Sequence, residues 1–482
     1  MAAHLAEPIP SRLLMWQRVR EYAVPPSMIE NASARRAAGD WAGACAAARI
    51  DVDLDLRAVR DRHGTELASR LRADLRRLAP DLLRWHMPRT APDGRLRPGL
   101  TLCLARYEAP GRTTLRLVVR TPPAWADAGQ RMSLALWEGS RDDPPAYHPH
   151  PHPDRRFRLD LHRHLWDGTR SAGLAGRCWA PLTPHGPQGR GPGEHLPAAL
   201  PEHWAAEAEL LLRADGRPPR GRLTVRFGAR GHGVFELVAP DDTHAPVLRP
   251  VREVPSPRAA AGLPVLPEAA ARPLPDLELL RAGLLRADRL HPLVAEALAG
   301  PAAVRALGSG PVRDPGPAAA AGTDPHRVDC RGEVHRIALR DGTLTAVDHE
   351  PAQLAREELL VALGGPGLPC LRAIDAVHRS PEALPAVRER LGHGDVTGAL
   401  AVVEGLLGPG AVLREGPLRE ALDAAVAGRL DQGLFRAGLV PVPPAALAAG
   451  PVGHRPRRER GLPPELRRKR SSRARPRTGL HL

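Results

Sequence analysis

Apolar positions change their period along the chain, and the changes mark its parts. Over residues 1–98 the spacing is helical. Pro10-Ser11 opens a segment with Met15, Trp16, Val19 and Tyr22 on one side, and helical segments follow at about 27–38 and 41–48. Leu67, Leu71, Leu75 and Leu78 then recur at helical spacing among Arg70, Arg72, Arg76 and Arg77, which predicts one buried helix face. Between these, DVDLD (51–55) imitates the start of a calcium loop. Leu56 and Arg62 stand where such a loop needs glycine and glutamate, so Asp55 is read as the cap of the next helix.

From residue 99 the period becomes two. LTLCLARY (100–107) and TLRLVVRT (114–121) flank EAPGRT and predict a β-hairpin. MSLALW (132–137) predicts a further strand, and RLTVRF (222–227) with VFELV (234–238) a second hairpin. Helices are expected near 160–177 and 201–213.

The rest alternates proline-rich stretches with short elements. Residues 241–275 and 308–325 read as linkers, and 276–307 as a helical segment capped by Asp276. HRIALRDGTLTAVDH (335–349) is the clearest hairpin, because Asp341-Gly342 suits a type I′ turn. That turn pairs Leu339 with Leu344, Ile337 with Ala346 and His335 with Asp348. Helices are expected at 353–363, 381–391, 396–407 and 417–429.

The predicted class is therefore α+β and multidomain. A helical domain (1–98) precedes a β-rich domain (99–240). A hairpin-plus-helix domain (326–450) follows, and a basic tail (451–482) ends the chain. Gly39-Asp40-x-x-Gly43-Ala44-x-Ala46 recurs as Gly394-Asp395-x-x-Gly398-Ala399-x-Ala401. Glycine ends one helix, aspartate caps the next, and small residues allow close packing. Two ordinary helical hairpins account for it, since no 34-residue array accompanies the pair.

Composition narrows the chemistry. Lys469 is the single lysine of 482 residues, and it lies in the basic tail. Phosphate-loop, kinase and pyridoxal phosphate chemistry each need a lysine elsewhere. The arginine, alanine, glycine and proline excess is that expected of a high-GC, bacterial genome. Net charge is +15, but the stretch 454–477 holds eleven basic residues against Glu459 and Glu465, so the remainder is nearly balanced. The five cysteines are no closer than 40 residues apart and form no CxxC motif, which predicts reduced, buried thiols. No apolar leader and no membrane span is apparent. A cytoplasmic location is expected, with a protein partner and no membrane.

Three sets of side chains are candidates. YHPHPHPDRRFRLDLHRHLWDG (147–168) is dense in histidine. On a strand, Asp160, His162 and His164 would share a face and could hold a divalent metal. No other cofactor is predicted. His335 and Asp348 form the cross-strand pair described above, which would orient an imidazole; Cys330 lies five residues earlier. Arg467, Arg468, Lys469, Arg470, Arg473, Arg475 and Arg477 could contact nucleic acid without sequence preference, although no aromatic residues interleave them. No complete catalytic set is present. The leading expectation is a non-enzymatic scaffold or accessory protein. The alternatives are a metal-dependent enzyme at Asp160, His162 and His164, and a nucleic-acid accessory protein acting through the tail.

Overall fold

The computed structural model describes residues 9–108, 114–139, 152–177, 203–226, 231–238, 245–251, 256–299 and 327–439. The predicted linker 308–325 and the tail 451–482 lie outside them. The fold is mixed α+β. It divides into two compact units, one of residues 1–121 and 131–312, the other of residues 122–130 and 313–482.

The first unit is built on the helix Thr65–Arg77, which buries Leu67, Leu71 and Leu75 as their spacing requires. They share a hydrophobic core with a four-stranded sheet. Its strands are β1 (Ile50–Asp53), β4 (Thr101–Glu108), β5 (Thr114–Arg120) and β6 (Met132–Trp137), in the order β1-β6-β5-β4. β5 pairs antiparallel with both neighbours and β1 runs parallel to β6. The short ribbon β2 (Arg89–Thr90) and β3 (Arg95–Leu96) stands apart. The helical and β-rich parts are thus not separate domains: Val19, Leu71, Leu117, Leu134, Leu277 and Leu280 share one core. The sheet is buried on both faces, since β4 buries Leu102, Cys103, Leu104 and Ala105 in succession and β5 buries Leu117, Val118 and Val119, and its apolar residues merge with those of the one-sided helix.

A second sheet follows in the order β7 (Gly221–Arg226), β8 (His232–Val238) and β9 (Val247–Pro250). The helix His203–Ala214 covers it with Trp204, Ala208 and Leu212 against Leu223, Phe235 and Leu237. The region 241–275 is therefore not a bare linker. It supplies β9, the helices Pro257–Ala261 and Glu268–Ala271, and the core residues Leu248, Leu266 and Ala270. Its prolines punctuate short elements: Pro257 and Pro275 start helices, and Pro250 ends the last strand of the sheet.

The second unit opens on a three-stranded meander, β10 (Arg327–Cys330), β11 (Glu333–Arg340) and β12 (Thr343–Ala346). The helices Pro351–Ala362, Pro369–Arg379, Leu384–Gly392, Val396–Leu407 and Pro417–Arg436 follow. Ile337, Leu344, Ile374, Val387, Leu407 and Leu418 form its core. The segment 122–130 belongs here too, with Trp125 edge-on to Phe435 at 5.8 Å.

The repeated G-D-x-x-G-A-x-A segment is the same device in both units. Asp40 accepts from Gly43 N at 2.8 Å and Asp395 from Gly398 N at 3.2 Å, while Arg35 and Arg390 each donate to the same carboxylate at 3.0 Å. A Cβ at Gly43 or Gly398 would overlap the capping carboxylate. We expect Asp395→Ala to cost about 1 kcal/mol and Asp40→Ala to destabilise in the same direction. Urea unfolding checks this, and an unchanged midpoint in both variants would refute the shared capping role. Among the described residues no helix is long and apolar enough to cross a membrane.

Candidate metal centre

The meander in the second unit is set by two tight turns. Arg331-Gly332 joins β10 to β11 and Asp341-Gly342 joins β11 to β12, and all four residues have positive φ, as a type I′ turn requires. The register pairs Leu339 with Leu344 and Ile337 with Ala346, as the sequence pattern predicts. It also pairs Val328 with His335 and Cys330 with Glu333. Cys330, the last residue of β10, therefore shares the inner face with His335 and Ile337.

The chain then brings two more donors to the same place. β12 ends at Ala346, and His349 follows in a turn, its N–H donating to Ala346 O at 3.3 Å. Cys370 is the second residue of the helix Pro369–Arg379, which begins on a proline and buries Cys370, Ile374 and His378. The ligand atoms of Cys330, His335, His349 and Cys370 all lie within 4.8 Å of one another. Among the described residues, no other group of three or more histidine, cysteine or acidic side chains converges in this way.

His335 Nδ1 stands 2.8 Å from His349 Nε2, with the rings nearly perpendicular at 87°. Cys330 and Cys370 are fully buried, and burial, helped by a hydrogen bond with Cys330, pushes the Cys370 thiol up to about 12. Burial thus favours the neutral form of the Cys370 thiol. A divalent cation inverts that preference, because it stabilises thiolates and accepts both nitrogen lone pairs.

A tetrahedral zinc site, with bonds of about 2.0–2.1 Å to nitrogen and about 2.3 Å to sulfur, has donor–donor edges of roughly 3.3–3.8 Å. The observed cluster needs only small side-chain adjustments to meet it. Its donor set, two thiolates and two imidazoles, is the soft-plus-borderline combination that selects zinc over magnesium or calcium. Four protein donors close the coordination sphere, as in structural rather than hydrolytic sites. Outside it, Glu333 Oε2 lies 3.5 Å from His335 Nε2.

Asp348 does not hold His335. Its carboxylate accepts from Arg336 N at 2.7 Å and from the Arg336 guanidinium at 3.0 and 3.2 Å. These bonds hold the carboxyl down at about 2. The partner of His335 is the next residue, His349. The arginines and the lysine of the tail lie outside the described residues.

Asp160, His162 and His164 are close in sequence but do not form a donor group. Residues 157–165 are a bridge, turns and a short 3-10 segment instead of a strand, so their side chains do not alternate. Asp160 is held by the Arg158 guanidinium at 2.8 and 2.9 Å. His162 Nδ1 lies 3.1 Å from Arg158 O, and its Nε2 is 3.2 Å from Glu207 but poorly aligned for a hydrogen bond. Burial raises the Glu207 carboxyl, but His162 and Arg177 more than offset this and hold it at about 2.

Burial, with His162 beside it, lowers His164 to about 3, and burial lowers His86 to about 4. Both folded values lie below the unfolded one, so the unfolded chain binds protons that the folded chain refuses. Stability is therefore full above about pH 6.5 and falls as pH drops toward 4, by roughly 3 kcal/mol per pH unit for the two together. Thermal unfolding of the first unit between pH 7 and 5 checks this. A flat profile there would contradict the neutral, buried state of both rings.

Three comparisons, with protein-family models, with curated proteins and with solved structures, return no match to this chain. The functional reading therefore rests on the site.

Sequence reasoning missed two of the four donors. The signals were present but weak. Pro369 starts a segment with Cys370, Ile374 and Val377 at helical spacing, and the full pattern is Cys-x4-His-x13-His-x20-Cys. No short motif contains it, because the donors come from a strand end, a strand, a turn and a helix start.

Proposed function

We propose that Cys330, His335, His349 and Cys370 hold one structural Zn2+, and that the chain is a non-enzymatic scaffold or accessory protein acting through protein contacts. The convergence of four donors on one point carries the reading. Cys330 and Cys370 also belong to the hydrophobic core of the unit, beside Ile337 and Ile374. A metal there ties the meander to the helix Pro369–Arg379 in a fold whose first strand, β10, has only four residues.

The closed donor set leaves no coordination position for a substrate, which favours an organising role over catalysis. The helix Pro351–Ala362 lies between two of the donors in sequence and buries none of its own residues. Leu359 is 63% exposed, and Leu363 just beyond the helix is 78% exposed. Apolar side chains left in solvent on a metal-anchored segment support a role in protein contacts.

The test is elemental analysis of the full chain, purified without a histidine tag. About one zinc per chain is expected, reduced to background in Cys330→Ser with Cys370→Ser. Chain that remains metal-free after exposure to zinc under reducing conditions overturns the proposal.

A further inference from the structure

We propose that Cys330 and Cys370 also form a redox switch, in which a hydroperoxide converts the zinc-bound thiolate pair to a disulfide and expels the metal. This rests on the zinc reading above and names how that centre would be regulated.

Three observations carry it. First, the two sulfurs are neighbours: both belong to the group of ligand atoms that lie within 4.8 Å of one another. Second, they are the only cysteines between residues 313 and 482, so no other thiol of this unit competes for the intermediate. Third, the centre has a solvent side. The side chain of His335 is 15% exposed, whereas Cys330, His349 and Cys370 are buried.

The chemistry balances within the pair. One thiolate attacks a peroxide oxygen; the S–O bond forms, the O–O bond breaks, and hydroxide leaves and is protonated to water. The second thiolate attacks the sulfenic sulfur; the S–S bond forms and a second hydroxide leaves. The thiolates lose two electrons and the peroxide gains them. Zinc is left with two neutral imidazoles and dissociates, because its affinity depends on the thiolates. The new bond joins the end of β10 to the start of the helix Pro369–Arg379, the same elements the metal joins. The oxidised unit therefore keeps its cross-link.

The experiment treats the zinc-loaded full chain with hydrogen peroxide. Released zinc is read with a chromogenic chelator, together with intact mass and peptide mapping. The expected result is loss of about one equivalent of zinc, a mass decrease of about 2 Da and a peptide linking Cys330 to Cys370. Dithiothreitol plus zinc should restore the starting state. Zinc retained while Cys45 or Cys103 oxidises overturns the switch and leaves the zinc centre standing. Release accompanied by sulfinic or sulfonic acid at Cys330 or Cys370, without the linked peptide, also overturns it. A chain that takes up no zinc before peroxide is added removes both proposals.

Discussion

Cys370→Ser is expected to abolish zinc binding and to unfold residues 327–407. The size of the effect follows from where the donors sit. Cys330 ends a four-residue strand, and Cys370 starts the helix whose Ile374 reaches the same core. Structural zinc in small domains contributes an apparent free energy of about 10–16 kcal/mol near neutral pH. The whole stability of a domain is about 5–15 kcal/mol. Loss of one thiolate leaves three donors and removes most of that binding energy. Hydrogen exchange is the measurement: amides of β11, β12 and the helix Pro369–Arg379 should lose protection in the variant. The wild-type chain should lose it in the same places when a strong chelator is added. A variant that keeps both zinc and protection would show that the metal does not organise this fold.

Asp276→Ala should cost the first unit about 3–5 kcal/mol. Arg20 donates from Nε and Nη2 to the two Asp276 oxygens at 2.8 Å each, and both side chains are sealed from solvent, at 1% and 0% exposure. Trp85 Nε1 donates to the same carboxylate at 3.0 Å. Burial lowers the Arg20 pKa, and the neighbouring carboxylate opposes the shift. Removing Asp276 leaves a buried guanidinium and an indole N–H without their acceptor. Replacing both partners, as in Arg20→Met with Asp276→Leu, should be far milder, because the penalty comes from the uncompensated charge. Denaturant unfolding of the three variants decides it. Equal losses in the single and the double variant would mean that packing, not the unpaired charge, sets the cost.

How much of this was legible in the sequence differs by residue. The stripe Leu67–Leu71–Leu75 and the Asp341-Gly342 turn were readable because each is a local periodicity with a local cause. Asp55 and Asp395 were readable as caps for the same reason. The region 241–275 was not, because proline enrichment marks a linker and the start of a short helix alike. Strict alternation put Asp348 opposite His335. The strand stops two residues earlier, the turn swings Asp348 out to Arg336, and His349 takes its place. Asp160 and His162 failed as ligands because Arg158 and Glu207 lie beside them. Cys370 stayed hidden because nothing local ties it to Cys330, 40 residues away. The Cys330, His335, His349 and Cys370 cluster is a product of topology, and only its first half, the hairpin with His335, is written in the local pattern.

X-ray absorption at the zinc edge of the tag-free, full-length chain tests the central claim most directly. Two sulfur scatterers at about 2.3 Å and two imidazole nitrogens at about 2.0–2.1 Å are expected. Cys370→Ser should lose the sulfur shell along with the metal. A first shell of nitrogen and oxygen alone, unchanged in that variant, would place the zinc elsewhere and contradict the account.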